Sequence, residues 1–286
     1  MSAHGQSKQA RSLALTAALL IGATRPAASQ SAAARDGVVL RLHPHVGDTL
    51  HTRLEQRTEV TITRPGATPK PMATTVTVLA RTIVQESRQA STTVLTVVDS
   101  ADVHTSDVRS GPMAAQAERS LRGQRLILQL AEDGTVEIAR DARGVAVSRE
   151  VTDAMASMPA VFPRRSVAIG ERWQREMPLV SSHALGGTGP GAHVRAEFRL
   201  DSLGRHGEVA YVSMRGEIVP DDDRPAADMS GRMSGEMQVD RRRGWMTDSR
   251  FTLVVTSLVA APGAAAAAPM RFLTKVTQRL RTMDKW

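Results

Sequence analysis

Histidines and acids are the residues of this sequence that could bind a metal ion, and two short groups place several of them close together. His43 and His45 flank Pro44, with His51 close behind, and residues 221–223 are three consecutive aspartates. A zinc site needs three or four ligands in tetrahedral geometry, whereas a calcium loop needs alternating acids and a distal glutamate. Neither group meets its requirement. We therefore predict no metal and no cofactor, and we interpret both groups as exposed residues at loops and strand entries.

Phosphate binding and nucleophilic catalysis lack a sequence signal as well. The glycine-rich segment 186–191 (GGTGPG) has no following Lys-Ser/Thr pair, which a phosphate-binding loop requires. The chain contains no Gly-x-Ser-x-Gly motif. A glycosidase carboxylate pair cannot be read from sequence, but aromatic residues for the walls of a cleft make up only 3% of the chain. We predict a protein that is not an enzyme, with an envelope hydrolase as the least favoured alternative.

The first 29 residues have the three zones of a secretory signal peptide. Residues 1–11 are polar with Lys8 and Arg11, and residues 12–23 (SLALTAALLIGA) are uncharged and mostly apolar. Ala27 and Ser29 suit the −3 and −1 positions of a cleavage site. A membrane anchor is the alternative, but the apolar run is shorter than the roughly 20 residues that a spanning helix needs. The sequence predicts cleavage before Gln30, an exported periplasmic or extracellular protein, and no transmembrane span in the mature chain.

The composition argues against nucleic acid as a partner and excludes disulfide bonds. Lys and Arg number 37 against 29 Asp and Glu, for a net charge of +8, and the basic residues alternate with acids instead of clustering. Nucleic-acid binding normally needs basic clusters interleaved with stacking aromatics, so we do not expect it. The chain contains no cysteine, which excludes disulfides. A chain of this length can bury a sufficient core without them.

The dominant pattern is an alternation of apolar and polar residues with period two, which is typical of strands that bury one face. It is clearest in segments 192–200, 232–240 and 270–282. Weaker versions occupy residues 50–62, 74–85, 92–99, 124–130 and 208–218. Antiparallel sheets with one dry and one wet face produce this pattern. It predicts a mainly β protein of antiparallel meanders, as a curved sheet or half-barrel.

Two segments break the alternation and predict short helices. Residues 114–121 form one, and residues 150–162 (EVTDAMASMPAVF) form the other. The second places Val151, Met155 and Met158 at helical spacing, and Pro163 follows as a stop signal. This second helix would connect the two halves of the chain.

An internal repeat is indicated by two short matching elements. Val46-Gly47-Asp48 recurs as Ile169-Gly170-Glu171, and each is followed by a long alternating pair and then a glycine-containing hairpin. The repeat predicts a first meander half at residues 30–145, a helical connector at 146–164 and a second half at 165–286. The two meanders would either face or continue one another.

These elements resemble those of an exported bacterial β-rich family of unknown function. The resemblance rests on the Val-Gly-Asp and Ile-Gly-Glu-x-Trp pair and on a Gly-x-Met-x-Gly-x-x-x-x-Asp-x-x-x-Gly-Trp stretch from Gly231 to Trp245. Leu50 departs from it, because the second copy has Trp173 at that position. The family offers no catalytic residues. The layout is also similar, as a fold analogy, to periplasmic half-barrels that hold lipids or lipoproteins.

One apolar face is the candidate binding site. Five apolar side chains fall on the dry side of alternating strands: Phe198, Met214, Met233, Met237 and Phe272. If the sheet encloses a groove, they would line it and bind an apolar small molecule, a lipid or an envelope protein. If the connector helix or other side chains cover them, the protein has a filled core and a structural or interaction role without a ligand. The sequence leaves both hypotheses open.

Overall fold

The computed structural model describes most of the chain from Gly37 onward. The described residues are 37–64, 66, 68–88, 90–142, 161–178, 192–220, 229–259 and 269–285. The predicted signal peptide, most of the predicted connector helix 150–162, the glycine-rich segment 186–191 and the aspartates 221–223 lie outside them.

The described chain forms eleven strands and one α-helix. The helix α1 (Gly111–Leu121) lies between the third and fourth strands. The strands are β1 (Thr49–Thr63), β2 (Lys70–Ser87), β3 (Ser91–Thr105), β4 (Arg125–Ala131), β5 (Val136–Asp141), β6 (Arg172–Pro178), β7 (Ala192–Gly204), β8 (Val209–Pro220), β9 (Met229–Asp240), β10 (Trp245–Val259) and β11 (Met270–Met283).

All eleven strands belong to one antiparallel sheet. Their order is β5-β4-β3-β2-β1-β11-β10-β9-β8-β7-β6. Each half of the chain is therefore a meander, and the pairing of β1 with β11 joins the two halves edge to edge. The predicted mainly β class is confirmed. Of the two arrangements left open by the sequence, the sheet shows meanders that continue one another.

The alternating segments predicted as strands fall within these elements, except that segments 124–130 and 208–218 each begin one residue before their strand. The strongest three correspond to β7, β9 and β11, where apolar residues face one side and charged residues the other. The predicted helix at 114–121 is confirmed as α1, which begins slightly earlier and has Pro112 in its first turn. Proline suits that position because its missing N–H would have no partner within the helix.

Helix α1 takes the place of a neighbouring strand beside the second half of β3. Strand β4 pairs with β3 only from Ser91 to Val97. Beyond that point the N–H of Gly123 donates to the carbonyl of Val98 at 2.9 Å, and α1 packs along the rest of β3. The helix thereby covers part of β3 that would otherwise be an exposed strand edge.

The sheet is strongly curved, as two consecutive residues before β1 show. The N–H of Leu42 donates to the carbonyl of Glu132 in the β4–β5 turn at 2.8 Å, and the N–H of His43 donates to the carbonyl of Gly244 in the β9–β10 turn at 2.9 Å. Strands β4 and β10 are five positions apart in the sheet. At about 4.8 Å per strand they would lie about 24 Å apart if the sheet were flat. Adjacent residues can bridge them only because the sheet bends.

Val161 shows that the bend brings even β6, at the edge of the sheet, close to the β4–β5 turn. Its N–H donates to the carbonyl of Asp133 in that turn at 2.9 Å, and its carbonyl accepts from the indole N–H of Trp173 on β6 at 2.9 Å. Strands β4 and β6 are nine positions apart, or about 43 Å in a flat sheet. The curved sheet is therefore nearly closed at this end, as a half-barrel.

Two extended segments span the nearly closed end, and we call them the first strap (residues 37–45) and the second strap (residues 161–168). They pair with each other through Val38 and Val167, whose N–H and carbonyl groups exchange hydrogen bonds of 2.8 and 2.9 Å. The face of the sheet on which the straps pack is the inner face.

A glycine on the inner face permits close packing in the bent region. Gly235 of β9 lies opposite Phe251 of β10 and Met214 of β8. A β-carbon at Gly235 would collide with the Phe251 side chain and the carbonyl oxygen of Arg250. Glycine within a strand commonly marks a sharp bend or a close approach of neighbouring atoms, and here it leaves room for Phe251.

Candidate functional site

The inner face of the four central strands is a candidate surface for a ligand. The pairing register places Leu54 of β1 between Leu280 of β11 and Val78 of β2, so all three point to the inner side. We call the inner face of β10, β11, β1 and β2 the central inner face. Its apolar side chains are Phe251, Leu253, Val255, Phe272, Val276, Leu280, Leu54, Val60, Ile62, Met72, Val76 and Val78.

Lys70, which the register places opposite Ile62 at the start of β2, is the one ionisable residue at a described inward position of the central inner face. The other inward positions carry hydroxyl, amide or apolar groups, and the charged residues of these strands other than Lys70 lie on the opposite side. Gln56 and Gln278 lie opposite each other across β1 and β11, and the amide of Gln56 lies 3.4 Å from the hydroxyl of Thr58. The surface can therefore contact an apolar chain and offer a few neutral hydrogen-bonding groups.

A second part of the inner face is filled by the protein itself. The strap residues Leu40, Phe162 and Val167 pack against β6 to β9 and are almost completely buried. Trp173 stacks on Phe198 with ring centroids 5.7 Å apart. We call this region the buried cluster. Most side chains of the central inner face, by contrast, are half-buried.

The five predicted lining residues divide between these two regions. Phe198, Met214, Met233 and Met237 lie in the buried cluster, with exposed fractions of 0, 8, 4 and 2%. Phe272 lies on the central inner face and is half-buried. Four of the five thus come together, as the alternation predicted, in a region that the straps cover. Whether any of the five lines a ligand site stays a prediction.

The outer face of the sheet carries the charges, arranged in ion pairs. Arg81 of β2 holds Asp99 of β3 in a bidentate contact with two N–O distances of 2.8 Å. Its hydrogen bonds to Asp99 and the charge of that carboxylate raise the pKa of Arg81. On the central strands, Arg279 lies 3.2 Å from Asp248. Cross-strand pairs of this kind are the ordinary use of alternating Arg and acid residues.

Asp133 links the β4–β5 turn to the second strap. Its buried carboxylate accepts hydrogen bonds from the hydroxyl of Thr135 at 2.7 Å and from the guanidinium of Arg164 at 3.1 Å. Its carbonyl accepts from the N–H groups of Val161 and Phe162. Burial alone would raise the pKa of Asp133, but the hydrogen bonds from Thr135 and Arg164 outweigh it and hold the pKa below its ordinary value.

The two elements of the sequence repeat form the same turn. In each, the acid N–H donates to the carbonyl three residues earlier at 3.0 Å, the glycine has a positive φ, and the acid side chain accepts from the N–H at the start of the turn. These features are those of a type II turn. Asp48 and Glu171 occupy the same position, and the inward residues that follow, Leu50 and Trp173, are both buried. The duplication of whole halves stays a prediction.

Each of the three candidate histidines has different surroundings in the structure. The His43 ring lies 3.4 Å from the hydroxyl of Ser87, the His45 ring lies 3.6 Å from Asp48, and His51 points to the outer face of β1. Among the described residues, no group of three or more His, Cys, Asp or Glu side chains is arranged to hold a metal ion. The structure therefore identifies neighbours for these histidines but does not suggest a new role for them.

Sequence reasoning missed the straps. Val38, Leu40 and Leu42 point inward and alternate with exposed or half-buried residues, so the period-two signal was present but short. The second strap has no such signal, since Phe162 and Val167 are separated by Pro163 and two arginines. Its position depends on contacts with Asp133 and Trp173, which lie far away in the sequence.

In the part of the chain that the structure describes, α1 is too short to cross a bilayer, and no other helix has the length and apolarity required.

No family model matches the chain, and no curated protein matches it in sequence. The family resemblance drawn from the paired turns therefore stays a prediction.

Comparison with solved structures finds a similar fold in a chain described under "lipid-protein interactions in lipovitellin". The TM-score is 0.50 at 7% identity, and the match covers 84% of this chain and 25% of that one. This chain thus spans about a quarter of the lipovitellin chain. The likeness is one of fold: a β-rich, curved sheet, in agreement with the fold analogy to half-barrels.

Two further matches have TM-scores too low to indicate a shared fold. One is DynF from the dynemicin biosynthesis pathway of Micromonospora chersina, with a TM-score of 0.23, 9% identity and 86% of each chain covered. The other is Ail, the attachment invasion locus protein of Yersinia pestis, with a TM-score of 0.15, 3% identity, and 84% of this chain and 100% of that chain covered.

Proposed function

We propose that the protein binds an apolar, lipid-type ligand on the central inner face. The observation that carries the proposal is a half-buried, mostly apolar surface that extends over β10, β11, β1 and β2, with Lys70 at the start of β2 as the one ionisable residue among its described inward positions. A surface of this kind is unusual on a protein without a partner, because large contiguous apolar patches normally mark an interaction site.

The energetics favour a ligand with a long hydrocarbon chain. Each methylene group buried from water contributes about 0.8 kcal/mol, and part of that gain offsets the entropy lost on binding. Because Lys70 at the start of β2 is the one ionisable residue of the described central inner face, binding over the rest of the face would strip water from no charged group. The neutral amides of Gln56 and Gln278 provide hydrogen bonds for a polar end or for ordered water.

The fold likeness to lipovitellin, whose structure is described in terms of lipid–protein interactions, agrees with this proposal at the level of fold. We further propose that the protein acts outside the cytoplasm after loss of residues 1–29, and that its role is binding and not catalysis. An apolar segment of an envelope protein would suit the same surface as a lipid.

A filled core without a ligand is the second candidate function. It is favoured by the burial of Phe198, Met233 and Met237 beneath the straps. In that case the protein would be a structural or interaction protein, and the central inner face would be covered by its own chain.

A neutral fluorescent probe such as diphenylhexatriene distinguishes the two candidates when it is titrated into the chain that begins at Gln30. The variant Val276→Glu places a charge on the central inner face, and Thr277→Glu places the same charge on the outer face of the same strand, beside Arg57. We expect the wild type and Thr277→Glu to bind the probe saturably and Val276→Glu to lose binding, with all three folded by circular dichroism.

Absence of saturable probe binding to the folded wild type would reject the lipid-type proposal and favour the filled core. Equal binding by Val276→Glu and Thr277→Glu would place the probe elsewhere on the molecule and would also reject the proposed face.

A further inference from the structure

A cavity of about 230 Å³ lies at the nearly closed end of the sheet, on the outward side of the first strap. In this strap Leu40 and Leu42 point inward to the buried cluster, whereas Arg41, His43 and His45 line the cavity. The strap backbone therefore separates the cavity from the inner face, and the two surfaces are independent.

The lining of this cavity is strongly basic. Three guanidinium groups contribute to it, Arg41 from the first strap and Arg241 and Arg242 from the β9–β10 turn, together with the two histidines. The lining residues include no carboxylate. Arginine is the side chain best suited to planar, bidentate contacts with phosphate or carboxylate groups.

Neighbouring acids neutralise this charge only in part. Arg41 lies 3.3 Å from Glu132, in a pair that is largely exposed, and Arg242 lies 3.9 Å from Glu208, which is too far for a hydrogen bond. Arg241 donates through one terminal nitrogen to the carbonyl of Gly207. Its Nε is buried and has no hydrogen-bond partner among the described residues. Because this atom is buried, Arg241 would contribute its positive charge to the cavity and not this donor.

Hydrogen bonds within the β9–β10 turn fix the backbone that carries Arg241 and Arg242. The carboxylate of Asp240 accepts hydrogen bonds from the N–H groups of Arg242 and Arg243 at 3.0 and 2.9 Å. Arg243 itself points away and pairs with Asp284 at 2.8 Å. At Gly244, φ is +59° and a β-carbon would collide with the backbone of His43, so the turn and the strap are in direct contact. The two walls of the cavity are therefore fixed relative to each other.

We propose that this cavity binds a phosphate-type anion, either free phosphate, a soluble phosphate ester or the phosphate of a lipid headgroup. The site stands apart from the proposed apolar face, so each can fail without the other. Its binding depends on charge and should weaken as ionic strength rises.

Calorimetric titration of inorganic phosphate into the chain that begins at Gln30 tests the proposal. The site variants are Arg41→Gln and Arg242→Gln, and the control is Arg250→Gln, an exposed arginine on the outer face of β10. We expect saturable binding by the wild type and the control, and a loss of about tenfold or more in each site variant, because each removes a charge-assisted hydrogen bond. Melting temperatures without phosphate verify folding. The Arg242 side chain is 80% exposed, so its variant should fold even if Arg41→Gln does not.

Sedimentation with vesicles separates the possible sources of the phosphate group. Vesicles of phosphatidylcholine with added phosphatidic acid are compared with pure phosphatidylcholine. Retention on the phosphatidic acid vesicles that the site variants abolish assigns a lipid headgroup, whereas phosphate binding without retention assigns a soluble phosphate. The proposal is overturned if the wild type binds neither phosphate nor these vesicles, or if Arg250→Gln weakens binding as much as the site variants do.

Discussion

The buried cluster and the central inner face belong to one face of one sheet, yet they have different surroundings. Both consist of inward apolar residues on alternating strands, but the cluster lies under Leu40, Phe162 and Val167 of the straps and most of the central side chains are half-buried. The alternation within a strand fixes which side chains share a face. What covers that face depends on segments elsewhere in the chain.

A buried charge should separate the two regions most clearly. Met237→Glu introduces a carboxylate at a position that is 2% exposed, and we expect a loss of about 3 kcal/mol or more in the free energy of unfolding. Val276→Glu on the half-buried central face should lose roughly 1 kcal/mol, since its carboxylate can reach water. Urea denaturation of both variants measures the difference. Equal losses would mean that the two regions are equally closed.

The inner-face glycine offers a steric test of the same contrast. Gly235→Ala places a methyl group against Phe251 and the carbonyl of Arg250, and overpacking of this kind costs about 1–3 kcal/mol. Ser234→Ala, one residue earlier on the exposed outer face, is the control and should change stability little. If thermal unfolding shows the two variants to be equally stable, the strands at Gly235 are less tightly packed than we describe.

Asp133 should make the attachment of the second strap dependent on pH. Its native pKa lies below the ordinary value, so the stability that it contributes is complete above the unfolded pKa of about 3.9 and is lost as the pH falls through the native pKa. Asp133→Asn should therefore cost about 1–3 kcal/mol at pH 7 and progressively less as the pH falls below about 4.

Urea denaturation of this variant at pH 7, 5, 4 and 3 follows the effect, with the exposed Asp102→Asn as the control. A stability difference from the wild type that stays constant down to pH 3 would contradict the assigned role of the Asp133 carboxylate.

The smallest effect concerns the two matching turns. Gly47 and Gly170 have φ values of +91° and +87°, where a side chain is strained, so Gly47→Ala and Gly170→Ala should each cost about 1 kcal/mol. Gly111→Ala is the control, because Gly111 has a φ of −54° and open space around it. Differential scanning calorimetry measures both losses. Unequal losses at the two turns would argue against their equivalence.

The strands of this fold could be predicted from sequence because their signal is local. Segments such as 192–200 and 270–282 alternate over many residues, and turn residues mark strand ends, as Asp133 and Gly134 do between β4 and β5. The β1–β11 pairing could not be predicted in the same way. It joins strands from the two ends of the described chain, and the sequence of neither strand indicates which strand it pairs with.

The candidate site was predicted only in part for the same reason. The inward direction of Phe198, Met214, Met233 and Met237 follows from alternation, but their cover comes from the straps. The basic cavity was not predicted at all, because it brings Arg41 to Arg241 and Arg242 across two hundred residues of sequence.

The short pairing between Val38 and Val167 has a consequence for the order of folding. Each meander can form hairpin by hairpin from contacts between neighbours, which close early because their loops are short. The Val38–Val167 bridge joins residues that are distant in sequence and that meet only after both meanders have formed and curved. We therefore expect the straps to dock last and to open first. In native-state hydrogen exchange, the amides of Val38 and Val167 should lose protection at a lower free energy of opening than the amides of β1 and β11.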